Sequence, residues 1–433
     1  MEQTDDIALE KHVDKFDKRN YFAMLVSWII LAPTWTITVP YFQHYILALG
    51  GNEYIVSLIA AVSGYTLATV RIIGGYLTDV VGRKKIIVLF TYVLSATYLL
   101  YYIAWDWRIV LIASIISSLA LIYQPALNAI VADSLPKEYR GRGLGLINLA
   151  NGLSGLLAIY AALLLVSIYG IIEGVRWGYL ISYFLILIAA VIRHVFLRET
   201  IKVENLNEIE NVVSDFVEDY KFAFKWIFKH LRHIMVIAFK LNLIAGITYL
   251  MPLYVTYYLN FGKEIWGYFY LFIFGVQLAF SIPSGYISDM LGRKVSIVIS
   301  VITTGIGNII LYLLGTGKLN ISTPIITLFT AGIFLGIGGS LSFPAIQSVL
   351  ADLTVPKVRG KISAIFGFIM NVSLSTGQLV SGYIYYEFTP PLIFLVSALI
   401  SVIALVYAST KLGETVRVEK KEENTEKNNE KTN

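Results

Sequence analysis

The stretch Gly75-Tyr76-Leu77-Thr78-Asp79-Val80-Val81-Gly82-Arg83-Lys84-Lys85 decides the fold, because the chain contains it twice. It returns as Gly285-Tyr286-Ile287-Ser288-Asp289-Met290-Leu291-Gly292-Arg293-Lys294-Val295, 210 positions later. Both copies lie between long apolar runs. A second marker repeats with them. Pro125 to Asp133, followed by Pro136 and Arg140-Gly141, reappears as Pro344 to Asp352, followed by Pro356 and Arg359-Gly360. Self-similarity on this scale means two halves built on one plan.

Composition says what the halves are made of. Of 433 residues, 57 % are hydrophobic and only 15 % charged, against roughly 25 % charged in soluble domains. The mean hydropathy is +0.69. Apolar runs of about 18 residues or more are long enough to cross a bilayer, so the chain reads as an all-α integral membrane protein. The net charge of +5 is no nucleic-acid signal, since the positive residues gather in short loops. There is no cysteine, which removes disulfides, thiol chemistry and Cys metal sites. The polar, mixed-charge start shows no cleavable leader, so insertion is expected to begin with the first span.

Twelve spans are expected, at roughly 21–48, 54–79, 84–104, 107–132, 139–168, 177–197, 234–260, 265–288, 293–315, 322–351, 358–387 and 389–411. The loops after the second, fourth, eighth and tenth are rich in Lys and Arg, and the opposite loops are poorer. The positive-inside rule then places both termini in the cytoplasm. Six spans per half is an even number, so the halves share one orientation and are expected to be related by a pseudo-two-fold axis along the membrane normal. The expected layout is a cytoplasmic tail (1–20), a six-helix bundle (21–197), a cytoplasmic linker (198–233), a second six-helix bundle (234–411) and a polar, low-hydrophobicity tail (412–433) read as disordered. Within the linker, Lys221 to Arg232 reads as an amphipathic helix in the membrane interface, with Phe222, Trp226 and Phe228 toward lipid and lysines toward phosphates.

A twelve-span chain with Gly-x-x-x-Asp-x-x-Gly-Arg-Lys after the second and eighth helices resembles the major facilitator superfamily, over nearly its whole length. The resemblance implies a secondary transporter in the cell membrane whose halves rock around a central site, giving alternating access. It implies a cytoplasmic gate or latch built from Gly75, Asp79, Gly82, Arg83, Asp133, Arg140, Gly285, Asp289, Gly292, Arg293, Asp352 and Arg359. Asp79 and Asp289 would face the N-termini of the eleventh and fifth helices, where a carboxylate meets a positive dipole end. Arg83 and Arg293 can pair with Asp133 and Asp352. Gly75 and Gly285 would permit close helix packing. The residue after the aspartate is usually basic in this family and is Val80 or Met290 here, which weakens the expected latch.

Substrate sites in such folds lie near the bilayer midplane. Polar and aromatic candidates there are Trp35, Gln124, Asn128, Asn148, Asn151, Gln347, Asn371 and Gln378, with Thr248 and Ser342 beside them. Pro40 and Pro252 are expected to kink the first and seventh spans. Two cations lie within spans, Arg71 and Lys240. Arg71 is eight residues before Asp79, roughly 12 Å into the membrane at 1.5 Å per residue, and intramembrane charges are functional candidates by default. It resembles the anion-binding arginine of nitrate-type members, although the second arginine of that group is missing here. The structural alternative is that both cations snorkel to the surface.

Absences restrict the chemistry. Every Asp and Glu lies in a loop, a tail or a helix end, so no mid-span carboxylate is available to load a proton. The arginine of the fourth helix and the Gly-Pro pattern of the fifth that typify drug–proton antiporters are lacking. The reading is therefore a carrier of a small organic solute, anionic or sugar-like, with a multidrug efflux carrier as the alternative and a transport-dead sensor behind it. An enzyme of lipid or prenyl diphosphates would need clustered aspartates to hold Mg²⁺, and the loops offer isolated ones. Expected partners are a small-molecule substrate and the lipid bilayer, with the coupling ion open, no cofactor or metal, no nucleic acid, and a monomeric chain.

Overall fold

Glycines and prolines, more than long loops, divide this chain into its helices. The computed structural model describes residues 18–127, 130, 140–200, 209–317, 323–353 and 359–413, and no strand occurs among them. The helices are α1 (Lys18–Leu31), α2 (Phe42–Ala48), α3 (Glu53–Val81), α4 (Arg83–Ile103), α5 (Trp107–Ala120), α6 (Arg140–Phe196), α7 (Ile209–His230), α8 (Arg232–Ile247), α9 (Gly262–Leu291), α10 (Arg293–Thr316), α11 (Pro324–Leu353), α12 (Arg359–Glu387) and α13 (Leu392–Lys411). Eleven stretches among the described residues are long and apolar enough to cross a membrane. One of them, Asn151–Phe196, has 46 residues and is interrupted at Gly170 (φ 80°, ψ 179°), so it supplies two spans and the twelve-helix layout is recovered. The loop expected between 168 and 177 does not form. A single glycine in a backbone conformation that L-residues avoid lets the fifth span turn directly into the sixth. The charges expected in that loop pair instead on the helix, Arg176 with Glu173 at 2.7 Å, while Arg176 Nη2 also donates to the Ala104 carbonyl at 2.8 Å.

The same use of glycine closes both sequence motifs. Gly82 (φ 104°) separates α3 from α4, and Gly292 (φ 100°) separates α9 from α10. Each lets one helix stop and the next start within a single residue. The first span of each repeat is broken where proline was expected to break it. After α1 come 3-10 turns at Ala32–Trp35 and Val39–Tyr41, containing Pro33 and Pro40, before α2 resumes. After α8 come a 3-10 turn at Thr248–Leu250, a short turn at Met251–Leu253 containing Pro252, and a π-helical turn at Tyr254–Tyr258. Proline removes a helical hydrogen bond and crowds the preceding turn, and that displacement is one of the few causes of a sharp bend in a helix.

The chain divides into two compact units. One comprises the residues up to Asn52 together with Val62–Phe216, the other Glu53–Ala61 together with the residues from Val217 onward. In the first unit the Tyr45 hydroxyl donates to the Tyr101 carbonyl at 2.8 Å, and Tyr101 stacks on Tyr179 at 4.6 Å. In the second the Tyr254 hydroxyl donates to the Leu311 carbonyl at 2.6 Å. Leu311 lies 210 positions after Tyr101, the spacing of the two motifs, so both repeats tie the first span to the third by a tyrosine strut.

Close packing in the second unit centres on α8 and α12. A Cβ added at Gly246 would overlap the Leu374 carbonyl and lie 2.8 Å from the Gly377 Cα, and one added at Gly377 would lie 2.9 Å from the Gly246 Cα. Small residues allow backbones to meet in this way where no hydrophobic drive separates helix from lipid. Among the described residues the tight packing expected at Gly285 is not found: a Cβ there would meet no described atom within 4 Å, whereas glycines of α8, α10, α11 and α12 make close contacts.

The linker helix also departs from expectation in one residue. Ala223, Ile227 and Leu231, spaced four apart, are buried in the core of the second unit with Ile234, Ile237 and Ala404. Trp226 packs against that core as well rather than facing outward. The exposed aromatics are Phe222, Phe224 and Phe228, flanking the exposed Lys221, Lys225 and Lys229. At 100° per residue, position 226 falls beside Ile227 and Ala223 on the edge of the face that the bundle covers.

Candidate functional site

The second unit holds a partly open cavity of about 310 Å³ among α8, α9, α10 and α11. Its apolar wall comes from Leu241 and Ile244 of α8, Ile273 and Phe274 of α9 and Leu335 of α11. Its polar wall comes from Gln277 of α9 and Thr304 and Asn308 of α10, with Thr248 and Ser342 alongside. Two glycines of α11 make room for this wall: a Cβ at Gly338 would overlap the Thr304 hydroxyl, and one at Gly339 would overlap the Gln277 carboxamide. No Asp, Glu, Lys or Arg lines the cavity.

Asn308 is the unusual member. Its side chain is fully buried, and neither its Nδ2 nor its Oδ1 has a hydrogen-bond partner among the described residues. A carboxamide offers two donors and two acceptor lone pairs, and leaving a buried polar group unsatisfied costs roughly 1–3 kcal/mol. The Gln277 and Thr304 side chains likewise make no hydrogen bond to a described residue. Chemically, this is a neutral hydrogen-bonding face opposite an apolar one.

Thr248 and Ser342 are the two sequence candidates that the cavity brings together. The others are dispersed. In the first unit Arg71 is half-buried on α3 and forms no hydrogen bond or ion pair with a described residue. Trp35 is 39 % exposed, and Gln124 and Asn151 are half-buried. In the second unit Gln347 is exposed, Asn371 donates to the carbonyl of Gly367 on its own helix at 2.7 Å, and Gln378 is 7 % exposed with its Oε1 unpartnered. Lys240 points to α13, with its ammonium 4.7 Å from the centre of the Tyr407 ring. Tyr407 is in turn bonded to His233 at 2.9 Å. Asn128 lies outside the described residues, and Asn148 lies on α6 outside the residues whose side chains are described.

The loop motifs use partners that sequence did not foresee. Glu199 caps α4: its carboxylate accepts from the backbone amides of Arg83 at 3.1 Å and Lys84 at 3.0 Å. The Arg83 guanidinium donates to the Thr200 hydroxyl at 3.1 Å. In the second copy the Arg293 guanidinium bonds Asp289 of its own motif and the Ser288 hydroxyl at 3.0 Å, and Lys294 donates to the Ser409 carbonyl at 3.0 Å. Gly75, Asp79, Asp133, Arg140, Asp352 and Arg359 fall outside the residues whose side chains are described, so the pairings expected of them are not seen here.

Sequence reading also passed over Arg193. It is fully buried on α6, donates to the hydroxyls of Ser27 at 3.2 Å and Thr91 at 2.9 Å, and lies 5.6 Å from the centre of the Tyr123 ring. Three elements thus share one cation. The sequence signal for Asn308 and Arg193 is that each is a lone polar residue within an apolar run.

The Major Facilitator Superfamily model matches residues 22–278 and 269–432. The chain belongs to that superfamily. It is thus a multi-pass membrane transporter of solutes and not an enzyme. Among curated relatives it is 26 % identical over 168 residues to a Na(+), Li(+), K(+)/H(+) antiporter of Planococcus maritimus, a match covering 38 % of this chain and 39 % of that protein. The match therefore spans well under half the length of that relative. Among solved structures it is similar to the nucleoside transporter NupG (TM-score 0.69, 14 % identity, 91 % of this chain and 100 % of that one). It is similar also to the D-xylose–proton symporter (TM-score 0.71, 13 % identity, 93 % and 99 %). At such identities the likeness shows the fold alone.

Proposed function

We propose that this superfamily member carries a small organic solute bearing a negative charge across the cell membrane by alternating access, with both termini cytoplasmic. The observation that supports this most is Arg71. An arginine roughly 12 Å from the end of its span, with no partner among the described residues, is costly in a bilayer unless something charged answers it. Its planar guanidinium matches a carboxylate or phosphate through two parallel hydrogen bonds. The two loop motifs serve as the cytoplasmic latch.

Cation–proton exchange, as in the Planococcus relative's name, is not favoured. No span of this chain carries a mid-membrane carboxylate that could hold a metal ion or a proton. The apolar wall of the second unit's cavity supports multidrug efflux as the second reading.

Flux into proteoliposomes decides between them. A carboxylated metabolite is expected to be transported by the native protein. Arg71→Lys, which keeps the charge and loses the fork, should retain part of that flux, and Arg71→Ala should abolish it. Undiminished anion flux in Arg71→Ala would overturn the proposal, and export of uncharged hydrophobic dyes in its place would establish the second reading.

A further inference from the structure

We propose that the basic half of α7 docks on anionic phospholipid headgroups of the leaflet where α8 enters the membrane, with three lysines on phosphates and phenylalanines beside them in the acyl boundary. This goes beyond the solute reading, because it involves neither Arg71 nor a transported molecule.

Position comes first. Leu231 alone separates α7 from α8. The junction is hydrogen-bonded on both sides: the Leu231 amide donates to the Ile227 carbonyl at 2.7 Å, and the Met235 amide donates to the Leu231 carbonyl at 2.9 Å. No slack connects the two helices. Ala223, Ile227 and Leu231 are buried in the same core as Ile234 and Ile237 of α8, so the last turns of α7 lie at the depth where that span begins. Their covered side is against the bundle. Their other side is turned to what surrounds a bundle at that depth, which is the headgroup layer.

Charge comes second. The acidic residues of α7, Glu210, Asp215, Glu218 and Asp219, all precede Lys221, and the half that joins the span carries Lys221, Lys225 and Lys229. These lysines are exposed. Spaced four apart, they form one row, on the opposite side of the helix from Ala223, Ile227 and Leu231 at 100° per residue. None of the three makes a hydrogen bond or ion pair with a described residue. Arg232 and Lys411 add exposed cations at the start of α8 and the end of α13. Anionic headgroups complement such a set.

The row is also not an ordinary solvated face. Exposed Phe222 and Phe228 border it on its two sides, and the Phe224 ring lies 4.6 Å from that of Phe228. Rings interleaved with lysines suit an interface: the rings enter the acyl boundary, and the ammonium groups reach phosphates on flexible stems. A soluble acidic partner would account for the lysines but not for their place beside a span.

The test places the full chain in nanodiscs of phosphatidylcholine, alone or with phosphatidylglycerol as about a third of the lipid. Amide hydrogen exchange along α7 is the readout. At low salt the amides of residues 221–230 are expected to exchange about tenfold or more slowly in the anionic discs, since each lysine near such a surface contributes about fivefold. At 1 M salt, where the Debye length is about 3 Å, the difference should vanish. Replacing all three lysines by glutamine (Lys221→Gln, Lys225→Gln, Lys229→Gln) should abolish it, and replacing them by arginine should keep it. If the glutamine variant does not fold, the native protein in the two discs at the two salt concentrations still decides. Equal exchange in both discs would overturn the proposal, as would a difference that survives in the glutamine variant or at high salt, or that is lost in the arginine variant. Slowing of the same amides by soluble polyglutamate in phosphatidylcholine discs, as great as that by phosphatidylglycerol, would overturn it in favour of an acidic protein partner. No solute is present, so the outcome of the Arg71 flux experiments leaves this result untouched.

Discussion

The two copies of the loop motif share six of eleven residues and meet different partners among the described residues. Both place glycine at the break, with φ of 104° at Gly82 and 100° at Gly292, and both start the next helix with Arg-Lys. In the first copy the exposed amides of α4 are capped by Glu199 from beyond the sixth span, and Arg83 reaches Thr200. In the second copy Arg293 turns back to Asp289, four residues earlier, and Lys294 reaches the end of α13. The repeated glycines thus set the same backbone turn in both copies, while Glu199 and Ser409, which lie outside the repeat, each meet one copy.

The largest effect should come from the shared part. Gly82→Val and Gly292→Val each force a β-branched residue into a left-handed conformation, at a cost of about 1–3 kcal/mol. Thermal unfolding in detergent should show similar losses from both; a loss from one alone would break the equivalence of the two turns. Next comes the unshared cap. Glu199→Ala removes the acceptor for two helix N-terminal amides and should cost about 1 kcal/mol, as cap deletions do. Hydrogen exchange should quicken at the start of α4 and stay unchanged at the start of α10, and equal quickening at both would erase the distinction. A smaller effect is expected at Asp289→Asn. The Asp289 side chain is 69 % exposed, and such i,i+4 pairs are worth about 0.2–0.5 kcal/mol; a loss several times greater would mean that Asp289 holds more than its own motif. The smallest belongs to Gly285→Ala, whose added Cβ meets no described atom within 4 Å. Stability should change by less than about 0.5 kcal/mol, and a large loss of folded protein would show that Gly285 packs tightly after all.

The fold was legible because its determinants repeat or are local. The duplicated motif announces two halves, apolar length announces spans, and Pro40 and Pro252 foretell the broken first span of each half. What escaped depends on contacts distant in sequence. Nothing near Glu199 reveals that its carboxylate will meet the amides of Arg83 and Lys84, more than a hundred residues away. Gly170 reads as one more small residue until its backbone angle is seen. Trp226 packs inward because the covered face of α7 is fixed by Ala223, Ile227 and Leu231, and that face is set by the neighbouring helices. The site was the least legible part. Attention to Arg71 and Lys240 followed from the rarity of charge in membranes, and Lys240 then proved to lie against Tyr407. Asn308 carries no charge, so it drew none of that attention, and only its lack of partners sets it apart.

The open surroundings of Gly285 have a practical consequence. The polypeptide contains no sulfhydryl, so Gly285→Cys would carry the sole thiol in the molecule, at a point where an added Cβ meets no described atom within 4 Å. Maleimide labelling rates there, followed while solute is added, would give a spectroscopic clock for the motion of the second motif against a background free of competing reactions.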